Sequence, residues 1–557
     1  VDGHAGRVGV DAPDADHDHV HVCDRAMSAH ARVRRDWLGV GLAVGFGLVL
    51  ALGALGAGMG EVASQDPDVW WVAAAGRLGS LLHPLDTNTF SFTAPEQAWV
   101  FHEHLAGPLY AAGLTHFGTS FLAALSLFGL LGTAAFVLYA ALGWRAEDER
   151  ERLAGLLLAL VWCVAVGLHG MNARVTILAR LLPLAFVVLA FDGGSGAGPS
   201  RTERFGRGRA IALVVLAWIW ANLHGSFPLG VAILALAAIG FSGDRSSGAV
   251  GTGDSGSSGD GSSSAGSSGD GSGDGRTARR RITISRPLLL TALACALVSF
   301  VTPHGLALHG LVIDYLTGGA DTLAVVHEYV REFQPLWAVD PTTIVPELVA
   351  LVLVTTIAVL GVRSHPTRAL LVLGLVVLAT RNQRHLPLAL LLAVPLLRPV
   401  LAAWLPRGLR TPTRPVAVLA LAPAVVLGLV AFVRSPAPPP RGGEGFDALV
   451  ARLPEGARVY APVDVGGRLA WAAHPHARVF ADPRNDCYPA DVLREAYELG
   501  RPGQDRDWIL EVLARRRVTH VLDRAGTDVA RALDDWTFVA REGEWVLLAA
   551  PVGLARR

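Results

Sequence analysis

Eleven apolar stretches, each with little or no charge, thread this chain of 557 residues. They limit the possible folds more than any other feature. A helix needs about 20 such residues to cross about 30 Å of hydrocarbon. The stretches fall at residues 38–59, 119–143, 153–169, 175–191, 210–222, 227–242, 287–302, 344–362, 368–380, 386–404 and 415–433. With 52% hydrophobic residues, a chain this long is too apolar for a soluble enzyme. The expected fold is an α-helical polytopic membrane protein of about 11 transmembrane helices, spanning residues 37–434, with a small C-terminal α/β domain at 446–557.

The loops between stretches divide into two sets. One set carries Arg32, Arg34 and Arg35, then Arg145, Arg150 and Arg152, then Arg201, Arg204, Arg207 and Arg209. It continues through Arg276, Arg279, Arg280 and Arg281, Arg363 and Arg368, and Arg407, Arg410 and Arg414. By the positive-inside rule these loops are cytoplasmic. The N-terminal tail is then inside a bacterial inner membrane and residues 434–557 are outside it. The other set carries nearly all the polar residues able to do chemistry: Asp66, Asp68, His102, Glu103, Asn172, Arg174, Asn222, His224, His304, Glu328, Arg381 and Asn382. A shared outer site follows from that sidedness.

Residues 1–36 read as a disordered cytoplasmic tail. Its DAPDADHDHVHVCD run lacks an apolar core and so is no signal peptide, while metal binding by its His and Asp residues is the alternative reading. Residues 243–278 form a Gly/Ser/Asp linker that cannot bury enough apolar surface to fold. Two outer loops are long, at 60–118 and 303–342. Helices in the first, with Trp70, Trp71 and Trp99, suit the membrane interface. Beyond the Pro-rich SPAPPPRGGEG, the stretches ARVYA, ARVFA, VTHVL and EWVLLAA read as strands alternating with helices. The four cysteines, Cys23, Cys163, Cys295 and Cys487, show no CxxC spacing and imply no disulfide framework. A net charge of zero gives no reason to expect nucleic acid as a partner.

The first outer loop opens with SQDPDVWW, whose paired carboxylates Asp66 and Asp68 suit a general base or metal ligands. Solvated loop acids are the equally weighted alternative. His102-Glu103-His104 is not a zincin motif, because HExxH would need His where Ala106 stands. The outer ends of other stretches carry MNAR, WANLHGSF, VTPHG and TRNQRH. Together these four favour a polar cavity holding Glu103, His102, Arg174, Asn222, His224, His304, Arg381, Asn382 and Arg384 as substrate-binding residues. Arg174, Arg381 and Arg384 are suited to bidentate phosphate binding.

The acidic pair followed by aromatics, the Pro84-Leu85-Asp86 turn, the Ser91-Phe92-Thr93 stretch and a Trp before interfacial helices resemble the first outer loop of GT-C glycosyltransferases. That superfamily includes oligosaccharyltransferase catalytic subunits, protein O-mannosyltransferases and aminoarabinose transferases. The resemblance covers about residues 36–434, with its motifs concentrated in 64–105, and suggests a bacterial branch. DVGGRLAWAAHPHARVFADPRNDCYP is similar in layout to the outer domain of oligosaccharyltransferases, with Asp464, Gly466 and Gly467 comparable. The Trp pair of the WWDYG motif is missing, so recognition of an Asn sequon is not implied.

The resemblance implies a glycosyltransferase that moves a sugar from a polyprenyl-phosphate or -diphosphate donor, held among membrane lipid, to an outer glycan, lipid or protein acceptor. Asp68, with Asp66 second, would be the catalytic base, and Arg381 or Arg174 would stabilise the leaving phosphate. Because some relatives use a divalent cation, the resemblance also leaves open Mg²⁺ or Mn²⁺ held by Asp66, Asp68 and Glu103. The rival readings are a polytopic transporter or flippase and a non-catalytic envelope assembly protein. The stretch centres carry almost no ionisable residues, which speaks against coupled transport. Dispensability of the acidic pair would favour the assembly protein.

Overall fold

The structure, a computed structural model, describes residues 40–57, 64–142, 149–166, 174–191, 205–241, 282–317, 321–406 and 421–551, together with Met59 and Leu419. The His/Asp tract, Asn172 and the Gly/Ser/Asp linker lie outside the described residues.

Helices occupy most of the described part of every apolar stretch. In chain order they are α1 (Val40–Ala57), α2 (Asp68–Leu78), α3 (Gly107–Phe117), α4 (Ser120–Leu142), α5 (Glu149–Val166), α6 (Thr176–Phe191), α7 (Arg207–Leu223) and α8 (Pro228–Ala238). After a gap come α9 (Arg286–Val298), α10 (Leu306–Thr317), α11 (Asp321–Tyr329), α12 (Val345–Gly361), α13 (Pro366–Arg381), α14 (Leu386–Ala402) and α15 (Ala422–Arg434). Pro228, Pro287, Pro346, Pro366 and Pro387 sit in first turns, where the missing N–H has no helical partner to lose.

Among the described residues only four helical segments are long and apolar enough to cross a membrane: Val40–Ala57, Ser120–Leu142, Pro341–Gly361 and Gln383–Ala402. The expected number of about eleven crossings is not confirmed by these four, beside which stand five shorter apolar helices among the described residues. An 11-residue helix such as α8 rises only about 16 Å at about 1.5 Å per residue, half the hydrocarbon thickness. The stretch expected as the second outer loop opens with α10, on which Leu306, Ile313 and Leu316 are exposed.

At the end of the bundle away from the acidic pair, two arginines lock helices together through backbone carbonyls. Arg368 donates to Pro395 O (3.0 Å) and Phe191 O (3.2 Å), and Arg398 donates to Ala140 O (2.6 Å). On that same end, β1 (Ile239–Phe241) and β2 (Ile282–Ile284) pair antiparallel on either side of the linker region.

The C-terminal domain begins with α16 (Gly443–Val450) and continues through β3 (Ala457–Tyr460), α17 (Val463–Ala473), β4 (Ala477–Val479), α18 (Ala490–Leu499) and α19 (Arg506–Arg515). It ends with β5 (His520–Arg524), α20 (Asp528–Ala532), β6 (Thr537–Glu542) and β7 (Trp545–Ala549). The strands form one sheet in the order β4-β3-β5-β7-β6. The β3 pairings are parallel and the β7 pairings antiparallel. Cys163, Cys295 and Cys487 are buried and unpaired.

The first outer loop docks into this domain. Beside β4, Val479 N donates to Phe90 O (2.9 Å) and Phe92 N to Val479 O (3.2 Å), which covers an otherwise open sheet edge. Gly467 of α17 allows the close approach: a Cβ there would lie 3.1 Å from Pro67 O and 3.2 Å from Trp71 N. Trp70, Trp71 and Trp99 are buried, not placed at a lipid interface as expected. Arg468 lies over Trp70 (4.2 Å) and Arg484 over Trp99 (4.6 Å), so the indoles form the seam between loop and domain.

Candidate functional site

Asp66 and Asp68 start α2 by a local device. The Asp66 Oδ1 accepts from Asp68 N (3.0 Å), an Asx turn that places Asp68 in the first helical turn. Asp66 is 3% exposed, while the Asp68 side chain keeps 27% of its surface. Trp71 Nε1 donates to Asp68 Oδ1 (3.2 Å). Arg174 binds both acids, its Nε lying 2.7 Å from Asp66 Oδ2 and 3.2 Å from Asp68 Oδ2. Its NH1 donates to Glu332 Oε2 (2.7 Å).

Asp68, Trp71, Arg174 and Glu332 line a cavity of about 550 Å³ between the helical bundle and the C-terminal domain, and Asp66 lies behind its wall. Burial pushes the Asp66 carboxyl up to about 6, against the pull of Arg174. Glu332 behaves in the opposite way. Burial alone would raise it, but Arg174 and Arg384 hold it below the usual glutamate value.

On another part of the wall, Glu103 Oε1 faces His102 Nε2 (3.9 Å) and His224 Nε2 (4.0 Å). Burial raises Glu103 well above the usual carboxylate range, with nearby Asp68 adding to the effect. Burial also lowers both imidazoles, His224 the further. All three shifts favour the uncharged forms, and at 3.9 and 4.0 Å the groups lie close to one another without a direct hydrogen bond. His224 is oriented by Ser226, which holds its Nδ1 at 2.8 Å.

The remaining expected residues are divided by the fold. Arg384 lines the cavity, its guanidinium 4.4 Å over the Phe333 ring. Arg381, the last residue of α13, is exposed and off the cavity wall. Asn382 donates to Phe333 O (2.8 Å) in the amide orientation that satisfies both its polar atoms, so it shapes the turn carrying Arg384. Asn222 is buried and donates to Trp218 O (2.8 Å) and Val301 O (3.3 Å), while its own carbonyl accepts from Leu105 N (3.1 Å). His304 packs against His104, ring centroids 5.9 Å apart. Asn222 and His304 therefore support the wall without lining it.

The sequence reading missed much of the opposite wall: Glu332, Tyr315, Arg441, Arg484, Asp486 and Tyr497. The signal for Glu332 was present in HEYVREFQPLW, but Glu328 drew attention instead. Arg484 and Asp486 lie in the DPRNDCYP turn, which only docking of the two domains brings to the acidic pair.

The expected Mg²⁺ or Mn²⁺ set of Asp66, Asp68 and Glu103 does not fit this arrangement. Among the described residues no three acidic, His or Cys side chains form a metal-binding group. The guanidinium of Arg174 occupies the lone pairs of Asp66 and Asp68 that a hard cation would need, and Glu103 faces imidazoles instead.

No protein-family model matches the chain, and no curated protein sequence matches it. Solved structures do. The archaeal oligosaccharyltransferase AglB from Archaeoglobus fulgidus, in complex with an inhibitory peptide and a dolichol-phosphate, is 11% identical, with 91% of this chain and 74% of that chain covered and a TM-score of 0.46. The apo form of the Archaeoglobus fulgidus oligosaccharyltransferase is 12% identical, covering 86% and 69%, with a TM-score of 0.45. Its complex with Zn and sulfate is 12% identical, covering 90% and 74%, with a TM-score of 0.41.

Proposed function

We propose that this chain is a membrane glycosyltransferase of the GT-C kind, moving a sugar from a polyprenyl-phosphate or -diphosphate donor to an acceptor outside the cytoplasm. The observation that carries this reading is the cavity itself. One wall presents the carboxylate of Asp68, and another presents Arg384, whose guanidinium lies over the Phe333 ring and makes no carboxylate ion pair within 4 Å among the described residues. An acid–base group and an anion-binding group facing one space are what phosphate-leaving sugar transfer requires.

Asp68 takes the proton of the acceptor hydroxyl as its oxygen bonds to the anomeric carbon. The bond from that carbon to the donor phosphate breaks, and the lipid phosphate leaves with its electron pair. Arg384 stabilises the charge that develops there. Arg174, already bound to three carboxylates, is poorly placed to serve as the phosphate ligand. Asp66 is almost wholly buried, which leaves Asp68 as the acid that can reach an acceptor.

The test is to incubate the purified full chain with a panel of labelled polyprenyl-phosphate and -diphosphate sugars and candidate acceptors. Label transfer that Asp68→Asn abolishes supports the reading. Transfer undiminished in Asp66→Asn/Asp68→Asn would end the catalytic assignment and favour an assembly role.

A further inference from the structure

Asp66 and Asp68 come from the start of α2, Glu332 comes from the short helical turn Arg331–Phe333, and all three meet one side chain that precedes α6. Arg174 touches an oxygen of each, at 2.7, 3.2 and 2.7 Å. Its side chain is 23% exposed, and burial alone would weaken its charge. The three carboxylates outweigh that effect and raise its proton affinity. A guanidinium cannot be displaced by deprotonation at any pH where this protein is folded.

Oxygen-rich clusters of this kind, drawn from separate elements, are the usual setting for a hard divalent ion. Here the centre of the cluster is already filled. A planar guanidinium binds carboxylates through directed hydrogen bonds, and a second cation beside it would meet like charge at close range.

From this geometry, and resting on the transferase reading above, we propose that Arg174 is the resident cation of the site: it supplies the fixed positive charge at the acidic pair that a divalent metal ion would otherwise supply, and the transfer is metal-independent. Arg174 acts as a positioning residue. It sets the orientation of Asp68 from one side while Trp71 sets it from the other, and it ties both to Glu332 on the far side of the cavity entrance.

The cluster predicts a latent metal site. In their present spacing the three carboxylates form no metal-binding group; removing the guanidinium while keeping them leaves three acidic side chains free to close on Mn²⁺ or Mg²⁺. The experiment is Mn²⁺ titration of the purified full chain, followed by electron paramagnetic resonance, in which protein-bound ion loses the signal of the free ion. Wild type is expected to leave the signal unchanged at micromolar Mn²⁺. Arg174→Gln is expected to gain a stoichiometric site, and Arg174→Gln/Asp68→Asn to lose it again. Stoichiometric binding by wild type that Asp68→Asn abolishes would overturn the proposal, and this arm needs no variant at Arg174 to fold. Failure of correctly folded Arg174→Gln to bind Mn²⁺ would also overturn it.

The titration uses no sugar donor, so its outcome is separate from that of the transferase reading. Where transfer is measured, the rate in EDTA should equal the rate without it. A loss of tenfold or more, restored by Mg²⁺ or Mn²⁺, would count against Arg174 as the resident cation while leaving the transferase reading intact.

Discussion

Trp71 Nε1 donates to Asp68 Oδ1 at 3.2 Å, one helical turn along the same helix, while Arg174 approaches Asp68 Oδ2 at the same distance. Both oxygens of one carboxylate are therefore fixed by groups that the sequence places about a hundred residues apart. A carboxylate so held faces the cavity in one orientation.

On the proposed transferase reading, that arrangement predicts that Asp68 is the most sensitive position for activity. Asp68→Asn keeps the size and much of the hydrogen bonding but removes the proton acceptor. Loss of a general base costs about 100- to 10,000-fold in rate, so transfer in a labelled-donor assay should fall by that order. Membrane insertion, followed by fractionation, should be unaffected.

Arg384 and Arg381 provide a paired test. Arg384 lines the cavity above Phe333 and Arg381 is exposed outside it. Arg384→Ala should reduce donor turnover by roughly 100-fold, the order seen when a group stabilising developing charge is removed. Arg381→Ala should change it little. Equal losses in a side-by-side kinetic assay would reject Arg384 as the phosphate ligand.

The pH dependence should report Asp66. Burial raises its carboxyl to about 6. As pH falls through that value the group takes up a proton, Arg174 loses one of its three charged partners, and the support of Asp68 weakens. Transfer should therefore decline below pH 6 in wild type. Asp66→Asn, with no proton to gain, should lose this limb of the rate profile.

Arg484 should prove structural. Its side chain and that of Asp482 are fully buried, 2.7 Å apart, and Arg484 also donates to Asn88 Oδ1 (2.8 Å) across the seam between loop and domain. Arg484→Met leaves a buried aspartate without its partner, a change that typically costs about 3–5 kcal/mol. A lower thermal midpoint in detergent, with easier proteolysis of the loop at 84–101, is the expected result.

Topology is tested by compartment reporters fused at Gly248 and at the C-terminus. The repeated Arg bias predicts opposite sides of the membrane. The same compartment for both would undo the sidedness from which the site was first inferred.

The sequence by itself determined where helices form, because apolar runs and first-turn prolines are local signals. It also determined that chemistry-bearing side chains gather at one end of them, and it singled out Asp66, Asp68, Arg174, His102, Glu103, His224 and Arg384, all of which the fold brings to one site. It did not determine helix lengths as membrane crossings, since hydropathy marks apolar segments without fixing how far each extends as a helix. It also misplaced the indoles of Trp70, Trp71 and Trp99, because an aromatic suited to a lipid interface is equally suited to a protein seam. Only the tertiary structure decided which arginine is tied up by carboxylates. Arg174 and Arg384 read alike in sequence, but three carboxylates drawn from two separate elements converge on the first, and an aromatic ring lies under the second. Such pairings depend on contacts between residues 51 to 158 positions apart, and no local pattern encodes them.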